Sequence, residues 1–113
     1  MDVTIYHNSR CAKSRETLAL LERRGLKPKV IEYLKTPPDR AELKRLLKLL
    51  GKPPRALLRA KEAREAGLDK PGLSDEAIIA GMVAHPGVIE RPIVVTPRGA
   101  ALGRPPEAVL DIL

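Results

Sequence analysis

Phenylalanine and tryptophan are absent from this chain, tyrosine occurs twice and cysteine once. Each shortage removes a class of function. Without aromatic side chains there is little on which single-stranded bases could stack, and no zinc-finger or aromatic RNA-binding signature is present. Nucleic acid is therefore not expected as a partner, although the net charge of +7 favours some anionic ligand. One cysteine cannot close an intramolecular disulfide, so an oxidising compartment is not implied. With only two histidines beside it, no zinc-type ligand cluster can be read and no metal is expected. No run approaches the ~20 apolar residues of a membrane span. Met1-Asp2 leads straight into a strand-like run without a basic and then apolar leader pattern. No membrane association is expected, and the cytoplasm is the expected location. The 113 residues suffice for one domain with a real core and are too few for two, so a single domain over 1–113 is expected.

What is present gathers around Cys11. Val3 to Tyr6 is a β-branched, apolar run that reads as a strand, and a helical pattern begins at about Cys11. The sulfur then lies on the first turn of a helix, where free amide N–H groups converge and the helix dipole contributes roughly half a positive charge. An ordinary thiol of pKa ~8.5 is mostly neutral at pH 7, whereas helix N-termini and neighbouring cations can lower that value to roughly 3.5–7.5. His7, Arg10 and Lys13 are close in sequence and add to the field. A lone cysteine is otherwise a small buried apolar residue; the junction and its basic neighbours favour a reactive thiolate instead. Cys11-Ala-Lys-Ser14 has serine where a dithiol oxidoreductase needs a second sulfur. Ser14 can donate its O–H to the thiolate across the turn, or act as an ordinary first-turn serine bonding backbone or water. Six residues after Cys11 stands Thr17 rather than the arginine of a tyrosine-phosphatase loop.

The remaining pattern sets the organisation. A helix is predicted from about Cys11 to Arg24, with Leu18 and Leu21 inward and Gly25 as its stop. Val30 to Leu34 reads as a second strand, so a βαβ crossover makes these strands parallel. Asp39 and Glu42 match a capping box, and Leu43, Leu46, Leu47 and Leu50 line one helix face before Gly51. A short helix is predicted from Pro53 to about Arg59, ending on that arginine, and a further one from Ser74 to Ala84. Pro92 to Val95 and Ala100 to Gly103 flank a turn and read as an antiparallel hairpin, followed by a terminal helix from Pro106. The order βαβ then ββα predicts an α/β fold with a four-stranded mixed sheet and a helical insertion at about 39–84. This arrangement resembles the thioredoxin-like folds. In such folds a cis proline commonly faces the active cysteine, and Pro92 holds that place in chain order, so a cis Arg91–Pro92 bond is expected.

Over essentially its full length the chain resembles the glutaredoxin-dependent arsenate reductases, the ArsC family. The matching blocks are Thr4-Ile-Tyr-His-Asn8, Cys11 with Ser14-Arg15, Tyr33-Leu34 with Thr36-Pro-Pro38, Arg55-Ala-Leu-Leu-Arg59, His85-Pro86, Arg91-Pro-Ile-Val-Val-Thr-Pro97, Gly103-Arg-Pro105 and Val109-Leu-Asp-Ile-Leu113. The first block and the Arg-Pro-Ile-Val-Val block are each specific. The resemblance implies that Cys11 attacks arsenate, that Arg59, Arg91 and Arg104 hold the oxyanion, and that His7 helps to ionise the thiol. It also implies no bound cofactor: the reductant is an external thiol, glutathione or another of low molecular weight, and the protein partner is glutaredoxin or a similar thiol protein. Arginine suits this role because its planar, always-charged fork matches tetrahedral oxyanions. The same fold also carries reductase-like proteins of other substrates and Spx-type regulators that bind RNA polymerase. The latter commonly carry C-x-x-C, and Ser14 argues against them here.

Overall fold

A computed structural model describes all of residues 1–113. Two units divide the chain: Met1–Thr36 together with Arg91–Leu113, and Pro37–Glu90. The first carries the sheet. Its strands are β1 (Thr4–His7), β2 (Lys29–Glu32), β3 (Ile93–Thr96) and β4 (Gly99–Leu102), with helix α1 (Ala12–Arg23) between β1 and β2. The spatial order is β2-β1-β3-β4. β1 runs parallel to β2 with His7 opposite Glu32, and antiparallel to β3 with Ile5 opposite Val94 and Tyr6 opposite Ile93. The hairpin β3–β4 pairs Ile93 with Leu102 and Thr96 with Gly99. This is the mixed α/β sheet that the strand order predicts.

The central strand explains its own composition. Alternate residues of a strand point to opposite faces, and Ile5, Tyr6 and His7 are all buried, so β1 is covered on both sides. One face holds a core of Val3, Ile5, Leu21, Val94 and Val109, with Leu18, Leu20, Leu26, Ala101, Ile112 and Leu113 packed against it. Burying side chains of this size contributes about 1.5–3 kcal/mol each. The terminal segment Pro106–Ile112 is a 3-10 helix, where an ordinary terminal helix was expected. Its last carbonyls are taken by side chains: Thr96 Oγ1 donates to Ile112 O at 2.6 Å and Arg98 Nη1 to Leu113 O at 2.7 Å. At seven residues it is longer than the three or four over which 3-10 geometry usually persists.

The second unit is helical. It contains α2 (Arg40–Leu50), α3 (Ala60–Glu65) and α4 (Asp75–Ala84), with 3-10 turns at Pro54–Leu57 and Pro86–Val88. Asp39 accepts the Glu42 N–H at 2.8 Å and Ser74 that of Ala77 at 3.1 Å, so both long helices are capped by the residues that the sequence offers for it. Leu43, Leu46 and Leu47 are buried from α2, and Ile78, Ile79 and Met82 from α4. Gly51 ends α2 in the left-handed region at φ 66°. Two expectations are corrected here. The helix predicted to end on Arg59 stops at Leu57, and α3, not anticipated, begins just beyond it. Arg59 is therefore the extended N-cap of α3, with φ −81° and ψ 125°. Leu58 pairs with Ile89 as an isolated antiparallel bridge, and that pairing holds the backbone out of the helix. No helix of the protein is long and apolar enough to cross a membrane.

Candidate active site

β1 delivers the chain to the site and α1 leads it away. Between them, Asn8 closes a tight loop in three ways. Its carbonyl accepts the Cys11 N–H at 3.0 Å, its Oδ1 accepts the Arg10 N–H at 2.9 Å, and its own N–H donates to Ser14 Oγ at 3.0 Å. Asn8 was not singled out from the sequence. The signal was available, because asparagine commonly bonds the backbone two residues on and thereby forms a turn. Arg15 Nη1 adds a bond to Ser9 O at 2.9 Å from the helix side.

Cys11 is the N-cap of α1, with extended φ −96° and ψ 123°, one position earlier than a first-turn residue. At that position a side chain faces the N–H groups of the second and third helical residues. Here those residues are Lys13 and Ser14. The sulfur closes no full capping hydrogen bond, yet both amides are near enough to favour its anion. Partial burial works against the thiolate. The Ser14 amide, the Arg104 guanidinium, the Lys13 amide and the Arg91 guanidinium together outweigh that penalty, so the thiol lies below its ordinary value. Arg104 Nη1 stands 3.7 Å from Cys11 Sγ and also donates to Arg91 O at 3.1 Å. The Arg91–Pro92 peptide is cis, and so is Arg104–Pro105, which the sequence had not marked.

Ser14 acts differently from the hydroxyl donor considered above. Its side chain is fully buried, accepts from Asn8 N–H and lies 2.8 Å from His7 Nδ1. The hydroxyl turns toward the strand end, so only the amide of Ser14 serves the sulfur. His7 is buried as well, and desolvation lowers its pKa, with Glu32 opposing and Arg15 adding to the shift. A desolvated neutral imidazole supplies no positive field. One ring nitrogen of a neutral imidazole donates and the other accepts, so the bond between Nδ1 and the Ser14 hydroxyl runs in the direction that the tautomer sets.

Arg59 belongs to the helical unit. Its Nε meets Glu62 Oε2 at 3.1 Å and its Nη1 meets Glu90 Oε1 at 2.9 Å, all three side chains being partly buried. The bridge at Leu58 and Ile89 brings these groups together: Arg59 N–H donates to Val88 O at 2.8 Å and Glu90 N–H to Leu57 O at 2.7 Å. Although burial opposes the charged form, the two carboxylates hold the guanidinium firmly protonated. The sheet-bearing unit thus assembles His7, Cys11, Ser14, Arg91 and Arg104 around the β1–α1 loop, with cis Pro92 directly after Arg91, whereas Arg59 has a carboxylate cradle of its own. No cluster of three or more His, Cys, Asp or Glu is placed to hold a metal ion.

Comparison with known proteins places this geometry in a wider set. A model of the ArsC family matches residues 6–112. A protein of Escherichia coli K12 described as uncharacterised, YfgD, is 53% identical over 98% of this chain and 96% of its own length. An arsenate reductase of Rhizobium meliloti is 49% identical, with 100% of this chain and 82% of the relative covered. Among solved structures, an arsenate reductase from Vibrio cholerae superposes with a TM-score of 0.95 at 54% identity, covering 100% of this chain and 98% of that one.

Proposed function

The chain belongs to the ArsC family, and from that premise we propose that it is an arsenate reductase in which Cys11 is the nucleophile and an external thiol the reductant. The observation that carries the reading is a sulfur ringed by cationic and amide donors: Arg104 at 3.7 Å, Arg91, and the helix amides of Lys13 and Ser14. A thiolate and an incoming tetrahedral anion repel one another. Such donors lower the energy of both, since helix N-termini and arginine forks each bind oxyanions.

In the proposed cycle the Cys11 thiolate attacks arsenic and an As–O bond breaks, its oxygen leaving as water after protonation, to give a Cys11–S–As(V) ester. A low-molecular-weight thiol, of which glutathione is the expected example, then attacks arsenic and displaces a second oxygen as water, forming a second S–As bond. A second thiol, from glutaredoxin or a similar protein, attacks that external sulfur; an S–S bond forms, the S–As bond breaks, and its electron pair stays on arsenic as As(III). Water then cleaves the Cys11–S–As(III) bond, so that arsenic leaves as arsenite, the two external thiols leave as a disulfide, and Cys11 returns as a thiolate. The balance is one arsenate and two thiols giving one arsenite, one disulfide and one water. The chain holds no second cysteine that could resolve the intermediate, which supports an external route. Arg91 and Arg104 hold the oxyanion beside the sulfur, and Arg59 is the third arginine of the set. His7 and Ser14 position the loop.

The test is arsenite formation with arsenate, glutathione and glutaredoxin. Turnover is expected to need all three components and to vanish in Cys11→Ser. Turnover that persists in Cys11→Ser, or its absence with every thiol donor supplied, overturns the reading.

A further inference from the structure

We propose that Gly103 is a positioning residue, seated between Thr17 of α1 and Pro92, and that this seat fixes the Arg104 guanidinium on the Cys11 sulfur. Gly103 directly precedes Arg104, and its N–H donates to Pro92 O at 2.8 Å. A Cβ added there would stand 2.5 Å from Thr17 Oγ1, 2.8 Å from Pro92 Cγ and 3.0 Å from Thr17 Cγ2. Its backbone lies outside the left-handed region, so the need for glycine is spatial rather than conformational.

The neighbours have little room to yield. Thr17 is fully buried, and its Oγ1 donates to Lys13 O at 2.7 Å with Gly103 O a second acceptor at 3.4 Å. A β-branched side chain is stiff at χ1, and the proline ring is rigid. A methyl group at 103 must therefore move the backbone that carries Arg104. The seat also joins both partners of the sulfur contact, because Thr17 lies on the helix that Cys11 caps while Gly103 leads into Arg104. With Nη1 already 3.7 Å from Sγ, a backbone shift that tilts its N–H away from the sulfur weakens the contact, since hydrogen bonds fall off steeply as the donor angle closes.

The proposal builds on the assignment of Cys11 as nucleophile, and its first readout does not depend on arsenate. The rate of Cys11 alkylation by iodoacetamide is followed against pH in the wild type, Gly103→Ala, Arg104→Ala, Thr17→Ala and Gly103→Ala/Thr17→Ala, with circular dichroism to confirm the fold. Gly103→Ala is expected to raise the apparent thiol pKa in the same direction as Arg104→Ala and to cut the alkylation rate at pH 7 roughly three- to tenfold, as the thiolate fraction falls. Removing Thr17 Oγ1 and Cγ2 clears two of the three short contacts, so the double variant is expected to recover much of that loss. Where arsenate turnover is present, kcat/KM should follow the same order. A folded Gly103→Ala protein with wild-type alkylation overturns the proposal, and so does a double variant no better than the single one. Should Gly103→Ala fail to fold, a double variant that also fails to fold, or that folds yet alkylates no faster than Arg104→Ala, overturns the proposal as well. The expected order of alkylation rates across the series without any arsenate turnover would support the seat and sink the proposed substrate.

Discussion

Ser14 Oγ lies 2.8 Å from His7 Nδ1, and both side chains are buried at the junction of β1 and α1. The serine of the C-x-x-S sequence therefore braces a strand end rather than capping a thiolate with its hydroxyl. Function and stability separate at this residue: the amide belongs to the sulfur, the side chain to the loop.

Ser14→Ala tests that division. It leaves the His7 ring nitrogen and the Asn8 N–H without their buried partner, and an unsatisfied buried group costs about 1–3 kcal/mol. Chemical denaturation should show a loss of that order. The Cys11 titration should move less than it does in Arg104→Ala, because the Ser14 amide is retained.

The His7 shift carries a sign. Its pKa is lowered in the folded protein from an ordinary value of 6.5, chiefly by desolvation. Between those two values the unfolded chain binds the proton and the folded one does not, so stability rises with pH across the window. Stability from this group is complete above pH 6.5 and is lost progressively as pH falls toward the folded pKa. Unfolding free energy measured from pH 8 downward should therefore decline more steeply in the wild type than in His7→Gln. Parallel curves would contradict a buried neutral imidazole.

Arg91→Ala and Arg104→Ala should each raise the Cys11 pKa, with Arg104 the larger effect since its contribution to the sulfur exceeds that of Arg91. In the wild type, alkylation and turnover should both rise with pH through a midpoint below the ordinary thiol value, and both midpoints should move upward together in the variants. A turnover profile insensitive to these changes would separate catalysis from thiolate formation.

For Arg59, two effects need separating. Arg59→Ala removes a proposed oxyanion ligand and also the ion pairs with Glu62 and Glu90, at 3.1 and 2.9 Å. Glu90→Gln removes one ionic contact while leaving the guanidinium in place, and a hydrogen bond to a charged group contributes about 1.5–3 kcal/mol at most when buried, less at this partial exposure. Arsenate KM should rise at least tenfold in Arg59→Ala, a ratio worth about 1.4 kcal/mol, and change far less in Glu90→Gln. Equal effects on KM would reassign Arg59 to a purely structural role.

Much of this architecture was legible in the chain because local and long-range signals agree. Val3 to Tyr6 and Pro92 to Val95 are β-branched runs, the leucines from 43 to 50 repeat at helical spacing, and Asp39 and Ser74 stand at helix starts. Helix α3 escaped because its six residues, Ala-Lys-Glu-Ala-Arg-Glu, bury only Ala63 and so show no apolar face. That omission also set Arg59 at a helix end when it stands before a helix start. The partner of Ser14 escaped for a different reason. His7 comes within reach only once the strand and the helix have packed, and no spacing rule reports which way a first-turn hydroxyl will turn. Gly103 was legible only as part of a motif; its crowding against Thr17, on a segment 86 residues away, exists only in three dimensions.

The hairpin gives the two arginines beside the sulfur an unusual tolerance and an unusual weakness. Arg91 enters it and Arg104 leaves it, so antiparallel pairing returns both to one end whatever the length of the far loop at Pro97 and Arg98. Extra residues spliced into that distant tip would be absorbed there. A single-residue slippage of β4 would swing its side chains to the opposite face, carrying the guanidinium away from the thiol without removing one atom from the protein.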